Sequence, residues 1–259
     1  MRGWIALGIV VAVAAVAFVV YNLIPKDSVS KASVSQAVVK FRKDVKKAAA
    51  YPKHPWAKLP PFGVYRYSTR GTEAIDSFAF STAHNYGGVS TNTLAPTRCG
   101  AMERWQPLVQ RWSEGYLCVT PHSTQVVGVR DFHEFFDKSK KVSYTCTGGI
   151  SPYAAGLRPG QGWTTTCTAD KGTVTSHVKV IGFEKVTVAG APIDAVHLRA
   201  GATLKGDPDG ADTRDSWLRR SDGLLLRRVD HSKAHVDAGG GSQFSEDYEL
   251  DLLSTKPQR

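Results

Sequence analysis

Three hydrophobic rhythms follow one another along the chain. From Trp4 to Tyr21 every position is apolar or glycine, and Asn22-Leu-Ile-Pro25 closes the run. A helix of roughly 20 such residues crosses the ~30 Å hydrocarbon core of a bilayer, so residues 1–25 are predicted to form a transmembrane anchor. Ala15-Val16-Ala17 imitates a signal-peptidase site, and a cleaved leader is the competing reading. Only Arg2 precedes the run, and apolar residues continue past Ala17, which favours an uncleaved signal anchor. In the second rhythm Val34, Val38, Phe41, Val45 and Ala48 recur at steps of four and three. That spacing lines one face of an amphipathic helix, with Ser33 or Ser35 placed to cap it. Pro52, Pro55, Pro60 and Pro61 then end any helix, so residues 26–61 read as a basic juxtamembrane segment with a helix and a Pro-rich linker.

The third rhythm has period two and fills residues 62–259. Gly63–Thr69 reads as a first strand, and short strands follow near 87–94, 99–105, 114–120, 125–132, 142–148 and 163–168. Later strands are predicted at 174–180, 183–188, 193–204, 214–219, 224–229 and 245–253. Turns are written at Ala189-Gly-Ala-Pro192, Gly206-Asp-Pro-Asp-Gly210 and Ser221-Asp-Gly223. With no helices between the strands, consecutive antiparallel pairing is expected. The fold class is therefore mainly β.

Composition narrows the class of protein more than its function. With 42% apolar, 22% charged and 10% aromatic residues, the chain is neither disordered, collagenous nor polytopic. The net charge of +10 points to nucleic acid only until its location is examined. Residues 26–58 carry a net of +7, and residues 59–259 only +2, so the β domain has no general basic excess and no nucleic-acid partner is expected. On the helix, Lys40, Lys43 and Lys47, with Arg42 and Lys46, face away from the apolar stripe. That face either lies on anionic headgroups as a membrane-surface contact or is simply solvated.

The four cysteines, Cys99, Cys118, Cys146 and Cys167, lie beyond the apolar run and form no C-x-x-C. Zinc and redox motifs prefer short paired spacings, so two structural disulfides in an oxidising compartment are expected. Pairing neighbours, Cys99 with Cys118 and Cys146 with Cys167, closes loops of about 20 residues, each worth about 3 kcal/mol by chain entropy. The basic residues after the run would by the positive-inside rule keep the C-terminal domain in the cytoplasm. Long translocated domains override that bias, and the cysteines place the domain outside. The expected location is the cell membrane, single-pass, with the C-terminal domain extracytoplasmic.

Residues 183–229 carry a resemblance. A strand pair turning at Ala189-Gly-Ala, a polar loop, then Asp215-Ser-Trp217-Leu-Arg-Arg-Ser-Asp-Gly223-Leu-Leu-Leu-Arg227 resembles the late strands of the LolA/LppX-like lipoprotein-localisation superfamily, with Leu225 where that pattern has Pro. The resemblance implies a curved antiparallel half-barrel with helical cover, whose concave face binds acyl chains or lipoproteins; no ligand residue transfers with it. Through Ser33-Val34, Gly63-Val64-Tyr65, Cys99-Gly100, Trp105, Trp112, Cys118 and Trp217 the chain is also similar to a family of single-pass actinobacterial membrane proteins. An immunoglobulin-like sandwich is the structural alternative, because Cys99, Trp112 and Cys167 imitate its Cys-Trp-Cys spacing. Thr165 stands where that fold has its Tyr.

Catalytic motifs break on inspection. In Asp131-Phe-His133-Glu134-Phe-Phe-Asp137 an Asp replaces the second His of H-E-x-x-H, and burial of Phe132, Phe135 and Phe136 with His133 and Glu134 in water explains it. Gly149-Ile-Ser151-Pro-Tyr fails G-x-S-x-G, and Gly160-Gln-Gly162-Trp lacks a third glycine. Asp207, Asp209 and Asp212 gather near a turn without EF-hand order. His231 and His235 read as part of a solvated loop ending at Gly239-Gly-Gly241. No catalytic residue, metal site or cofactor is expected. The function classes are a membrane-anchored binding module for envelope lipid or lipoprotein and, alternatively, a protein-interaction module of the envelope. The first needs an open concave face; the second is expected if the helix carrying Val34, Val38 and Phe41 packs into that face and fills it.

Overall fold

The structure, a computed structural model, describes residues 27–48, 59–78, 81–237 and 241–259. The expected anchor at residues 1–25 lies outside these, and no helix among the described residues is long and apolar enough to cross a membrane. One helix, α1 (Val34–Ala48), precedes the sheet. The strands are β1 (Gly63–Asp76), β2 (Ser81–Asn85), β3 (Gly88–Pro96), β4 (Gly100–Gln106), β5 (Arg111–Val119), β6 (Ser123–Phe135) and β7 (Lys138–Gly148). They continue with β8 (Ile150–Pro152), β9 (Gly162–Ala169), β10 (Gly172–Val188), β11 (Ala191–Gly206), β12 (Asp209–Arg219), β13 (Leu225–Val236) and β14 (Ser242–Leu252).

Neighbours pair antiparallel around a full circle. β1 bonds β3 on one edge and β14 on the other, with Tyr67 opposite Leu252 and Asp76 opposite Gln243. The expected half-barrel is therefore corrected to a closed barrel of twelve strands, with β2 and β8 as short additions on β1 and β6. Closure removes the exposed edges that an open sheet of this size would leave. The upper end carries the β1–β2, β6–β7, β9–β10, β11–β12 and β13–β14 turns, and the lower end the β3–β4, β5–β6, β10–β11 and β12–β13 turns. The sandwich alternative fails on the same pairing. Trp112, its supposed core residue, stacks on Phe132 with ring centroids 5.3 Å apart, and Cys99 bonds Cys118 rather than Cys167.

Both disulfides join neighbours in the ring. Cys99, just before β4, bonds Cys118 of β5 with Cα atoms 4.6 Å apart, and Cys146–Cys167 bridges directly opposed residues of β7 and β9 at 4.0 Å. Between those two strands the chain must leave β9 and rejoin β6. It does so at Gly148 and Gly149, with φ of 72° and 65°, a left-handed conformation that glycine adopts without steric cost. A Cβ on Gly149 would also lie 2.2 Å from Thr165 Oγ1.

Bulges decide which side chains face inward. At β5–β6 the register jumps from Tyr116↔Gly128 to Leu117↔Val126, leaving Val127 as an extra residue, so Val126 and Val129 both line the interior. A second bulge at Ile181 lets β10 run unbroken through the place where the sequence pattern suggested two strands. One side of the interior is filled by aromatics. Trp105 stacks on Tyr248 at 4.2 Å and meets Tyr86 edge-on at 5.6 Å, while the hydroxyl of Tyr67 donates to Leu225 O at 2.6 Å.

The helix is where the apolar stripe predicts it, but it covers the outside of the barrel. Phe41 is buried against Val64, Ala95 and Met102, whose side chains point outward from β1, β3 and β4. Ala37 and Val38 join the contact, whereas Val45, counted in the stripe, is exposed. The expectation that this helix fills the concave face is thus overturned. Its lower end is held by Arg42, whose guanidinium donates to Arg259 O at 2.8 Å.

Candidate ligand cavity

A barrel of eight strands encloses just enough room for side chains or one small ligand, and its diameter grows with strand number. Twelve strands leave a lumen, here a cavity of about 1390 Å³. Its walls differ in chemistry. On the β7–β11 side the inward residues are largely apolar, among them Val142, Trp163, Val178, Leu198, Ala200 and Leu204. The opposite side, from β12 through β14 and β1 to β6, places charge in the same space.

Two groups make up that polar wall. In the first, Arg111 holds Glu246 through two bonds, Nε to Oε1 at 2.8 Å and a terminal nitrogen to Oε2 at 3.0 Å. Its other terminal nitrogen donates to Trp112 O at 2.8 Å and lies 3.5 Å from Asp131. The Tyr86 hydroxyl donates to Glu246 at 2.5 Å. Beside it, Glu73 binds His84 Nδ1 at 2.9 Å and His133 Nδ1 at 2.8 Å, and His84 Nε2 reaches Asp27 at 2.8 Å. Burial alone would raise the Glu73 pKa, but the hydrogen bonds from His133 and His84 and the charges of His133 and Arg111 bring it down to about 2.

In the second group Arg214 binds Asp230 and lies 3.5 Å from Asp212, yet keeps 40% of its side chain accessible. It lines the cavity, so that surface faces the lumen. Burial, against the opposing charge of Arg214 and assisted by Asp230, pushes the Asp212 carboxyl up to about 7. A raised carboxyl favours the protonated native state. Its contribution to stability is complete below the ordinary 3.8 and is lost as pH rises to about 7. Asp212→Asn keeps the site neutral and should raise the melting temperature at pH 8, by about 2–4 °C for each kcal/mol recovered, with a clearly smaller gain at pH 5, where only part of the contribution has been lost. Equal effects at the two pH values would show that Asp212 is ionised throughout.

The sequence-level candidates fall in several places. Asp131-Phe-His133-Glu134-Phe-Phe is a strand and turn rather than an exposed motif: Asp131, His133 and Phe135 face the lumen, and Phe132 packs outside on Trp112. The expectation of burial holds for Phe135, but placing His133 in water and Phe132 in the interior is corrected, because alternation along β6 sends His133 to the lumen and Phe132 to the outer face. Asp207 leaves the proposed carboxylate group to bond Lys140 at 2.8 Å, and only Asp212 turns inward. His231 and His235 sit in β13, not in a loop. Lys40 pairs with Asp44 at 3.0 Å, and Lys43 and Lys47 are exposed on the outer helix. Among the described residues no cluster of three His, Cys, Asp or Glu side chains is placed to hold a metal ion.

Fold and cavity together define a closed antiparallel β-barrel with a ligand-sized, two-sided interior. No family model and no curated protein matches the chain. A solved structure that does match is the hypothetical lipoprotein YmcC of Escherichia coli, at 12% identity over 88% of this chain and 99% of that one, with a TM-score of 0.36.

Proposed function

We propose that the protein is a membrane-anchored, extracytoplasmic binding module that holds an envelope lipid, or the acyl chain of a lipoprotein, inside its barrel. The observation that carries this reading is the cavity of about 1390 Å³, larger than the roughly 300–1,000 Å³ of ordinary small-molecule pockets. An acyl chain laid against the β7–β11 wall gains about 0.8 kcal/mol per buried CH₂. Its polar end meets the accessible guanidinium of Arg214 and the carboxyl of Asp212. Two disulfides support an oxidising compartment, and the apolar run at residues 4–21 supports the anchor. Binding of this kind needs no catalytic group, cofactor or metal. The interaction-module alternative required a filled interior.

Native mass spectrometry of the full chain released from detergent tests the reading. The wild type should carry co-purifying lipid. Ala200 faces the apolar side of the lumen, and Ala200→Trp should occupy the space of the chain and weaken fatty-acid binding tenfold or more, about 1.4 kcal/mol, while both disulfides remain formed. A wild type that never carries lipid, and binds fatty acid no better than Ala200→Trp, refutes it.

A further inference from the structure

We propose that the upper end of the barrel, at the β1–β2 and β6–β7 turns, stands on the bilayer and is the doorway through which the lumen exchanges lipid. The doorway rests on the lipid-binding reading; the orientation does not. Three independent features point to it. The chain that follows the apolar run is fastened to this end. Asp27 accepts a bond from the Phe136 backbone N–H at 3.0 Å and binds His84 at 2.8 Å, and Lys31 pairs with Leu108 between β4 and β5. From Tyr21 to Asp27 the chain reaches at most about 20 Å when fully extended. β11 has 16 residues, and a strand of that length tilted as in a barrel separates the two ends by roughly 40 Å. The tether is long enough for the upper end to touch the membrane and too short for the lower.

The second feature is Phe78, two residues beyond the upper end of β1, with 107% relative exposure. An apolar ring this exposed suits insertion into the headgroup and acyl boundary, where Trp, Phe and Leu side chains of interfacial segments bury. The third is the shape of the lumen. At the upper end its lining extends to Phe136, Lys138, Pro208 and Val236, beside the hairpin turns. At the lower end the lining also reaches Tyr153, Asp222 and Gly223, but there the short 3₁₀ turn Ala154–Gly156 folds inward and narrows the way, with Ala154 and Leu157 buried against Val180, Val196 and Leu198. In this orientation α1 runs down the barrel wall, from the Lys31–Leu108 contact to the Arg42–Arg259 bond. Lys47 therefore lies away from the membrane, and the lysine face is not what seats the domain.

Fluorescence quenching of the full chain in vesicles of phosphatidylcholine and phosphatidylglycerol tests the arrangement. Phe78→Cys, Ala191→Cys and Lys47→Cys each carry one environment-sensitive label at the upper tip, the lower tip and the helix. A headgroup-attached quencher should reduce emission several-fold more at position 78 than at 191 or 47. Equal quenching at all three, or stronger quenching at 191 or 47, overturns the orientation. Phe78→Ser should slow transfer of a fluorescent fatty acid from vesicles into the protein without changing the amount bound at equilibrium. Unchanged transfer refutes the doorway. If position 78 is quenched but no variant ever takes up fatty acid, the lipid-binding reading fails and the orientation stands.

Discussion

Arg111→Met should cost about 3–5 kcal/mol, the usual consequence of removing one partner from a buried ion pair. Arg111 and Glu246 each have only 6% of their side chain exposed. The guanidinium occupies a site where Glu246, Asp131 and Glu73 all feel its charge, so its loss leaves several carboxylates without compensation in a place water hardly reaches. At about 2–4 °C per kcal/mol for a domain of this size, the melting temperature should fall by roughly 10 °C. Pairing Arg111→Met with Glu246→Leu should recover much of the loss, because the penalty lies in the unpaired charge and not in the missing contact. A single variant that melts within a degree of the wild type would mean that water solvates this wall and that the interior is wetter than its side-chain burial indicates. Such a pair is a poor source of stability, since desolvation offsets most of its attraction. Its place on the lumen wall fits a part in forming a polar lining.

Period-two alternation made most strands legible, and turns at Ala189-Gly190 and Asp222-Gly223 were explicit; the structure confirms both, with φ of 82° at each glycine. Three departures have identifiable causes. Ser81–Asn85 has no apolar alternation, so β2 left no signal. Ile181-Gly182 imitates a turn because a bulge inserts one residue into β10. Asp230 to His235 reads as a loop because its inward positions include Asp230, buried against Arg214, and Ser232, which lines the lumen, in place of an apolar core. Closure was out of reach for a different reason. It depends on β1 meeting β14, a pairing across most of the chain, and local periodicity is the same in an open sheet and a barrel. The polar wall did leave a trace. Glu73 shares its face of β1 with Tyr65, Tyr67 and Ile75, and Glu246 shares its face of β14 with Phe244, Tyr248 and Leu250. A charge on the apolar parity of a strand is the mark of such a site. It is readable only once the bulges, which invert parity, are known.

The Glu73–His84–Asp27 chain should give the protein a stability maximum in mildly acidic solution. Burial pushes the His84 pKa down, but the hydrogen bonds and charges of Glu73 and Asp27 outweigh it and raise the value above the ordinary 6.5. A raised imidazole contributes fully below 6.5 and loses its contribution as pH climbs through the folded value. Glu73 acts with the opposite sign: lowered from 4.5 to about 2, it stabilises above 4.5 and loses that contribution as pH falls toward 2. The shift corresponds to about 3 kcal/mol. Stability from this network should therefore peak between pH 4.5 and 6.5 and decline on both sides. The alkaline limb has a local consequence. A neutral imidazole has one N–H, so it can donate to Glu73 or to Asp27 but not to both, and the bond that yields is the one to the partly exposed Asp27. The segment from Asp27 to Ser33 should then loosen from the upper end before the barrel melts, visible as protection factors at residues 27–33, that is, exchange relative to the intrinsic rate at each pH, that fall as pH rises. Glu73→Gln should flatten the acid limb, and His84→Asn should remove the pH dependence of protection at residues 27–33. Unchanged protection factors across that range in the wild type would show that the segment is held by the Lys31–Leu108 pairing and not by His84.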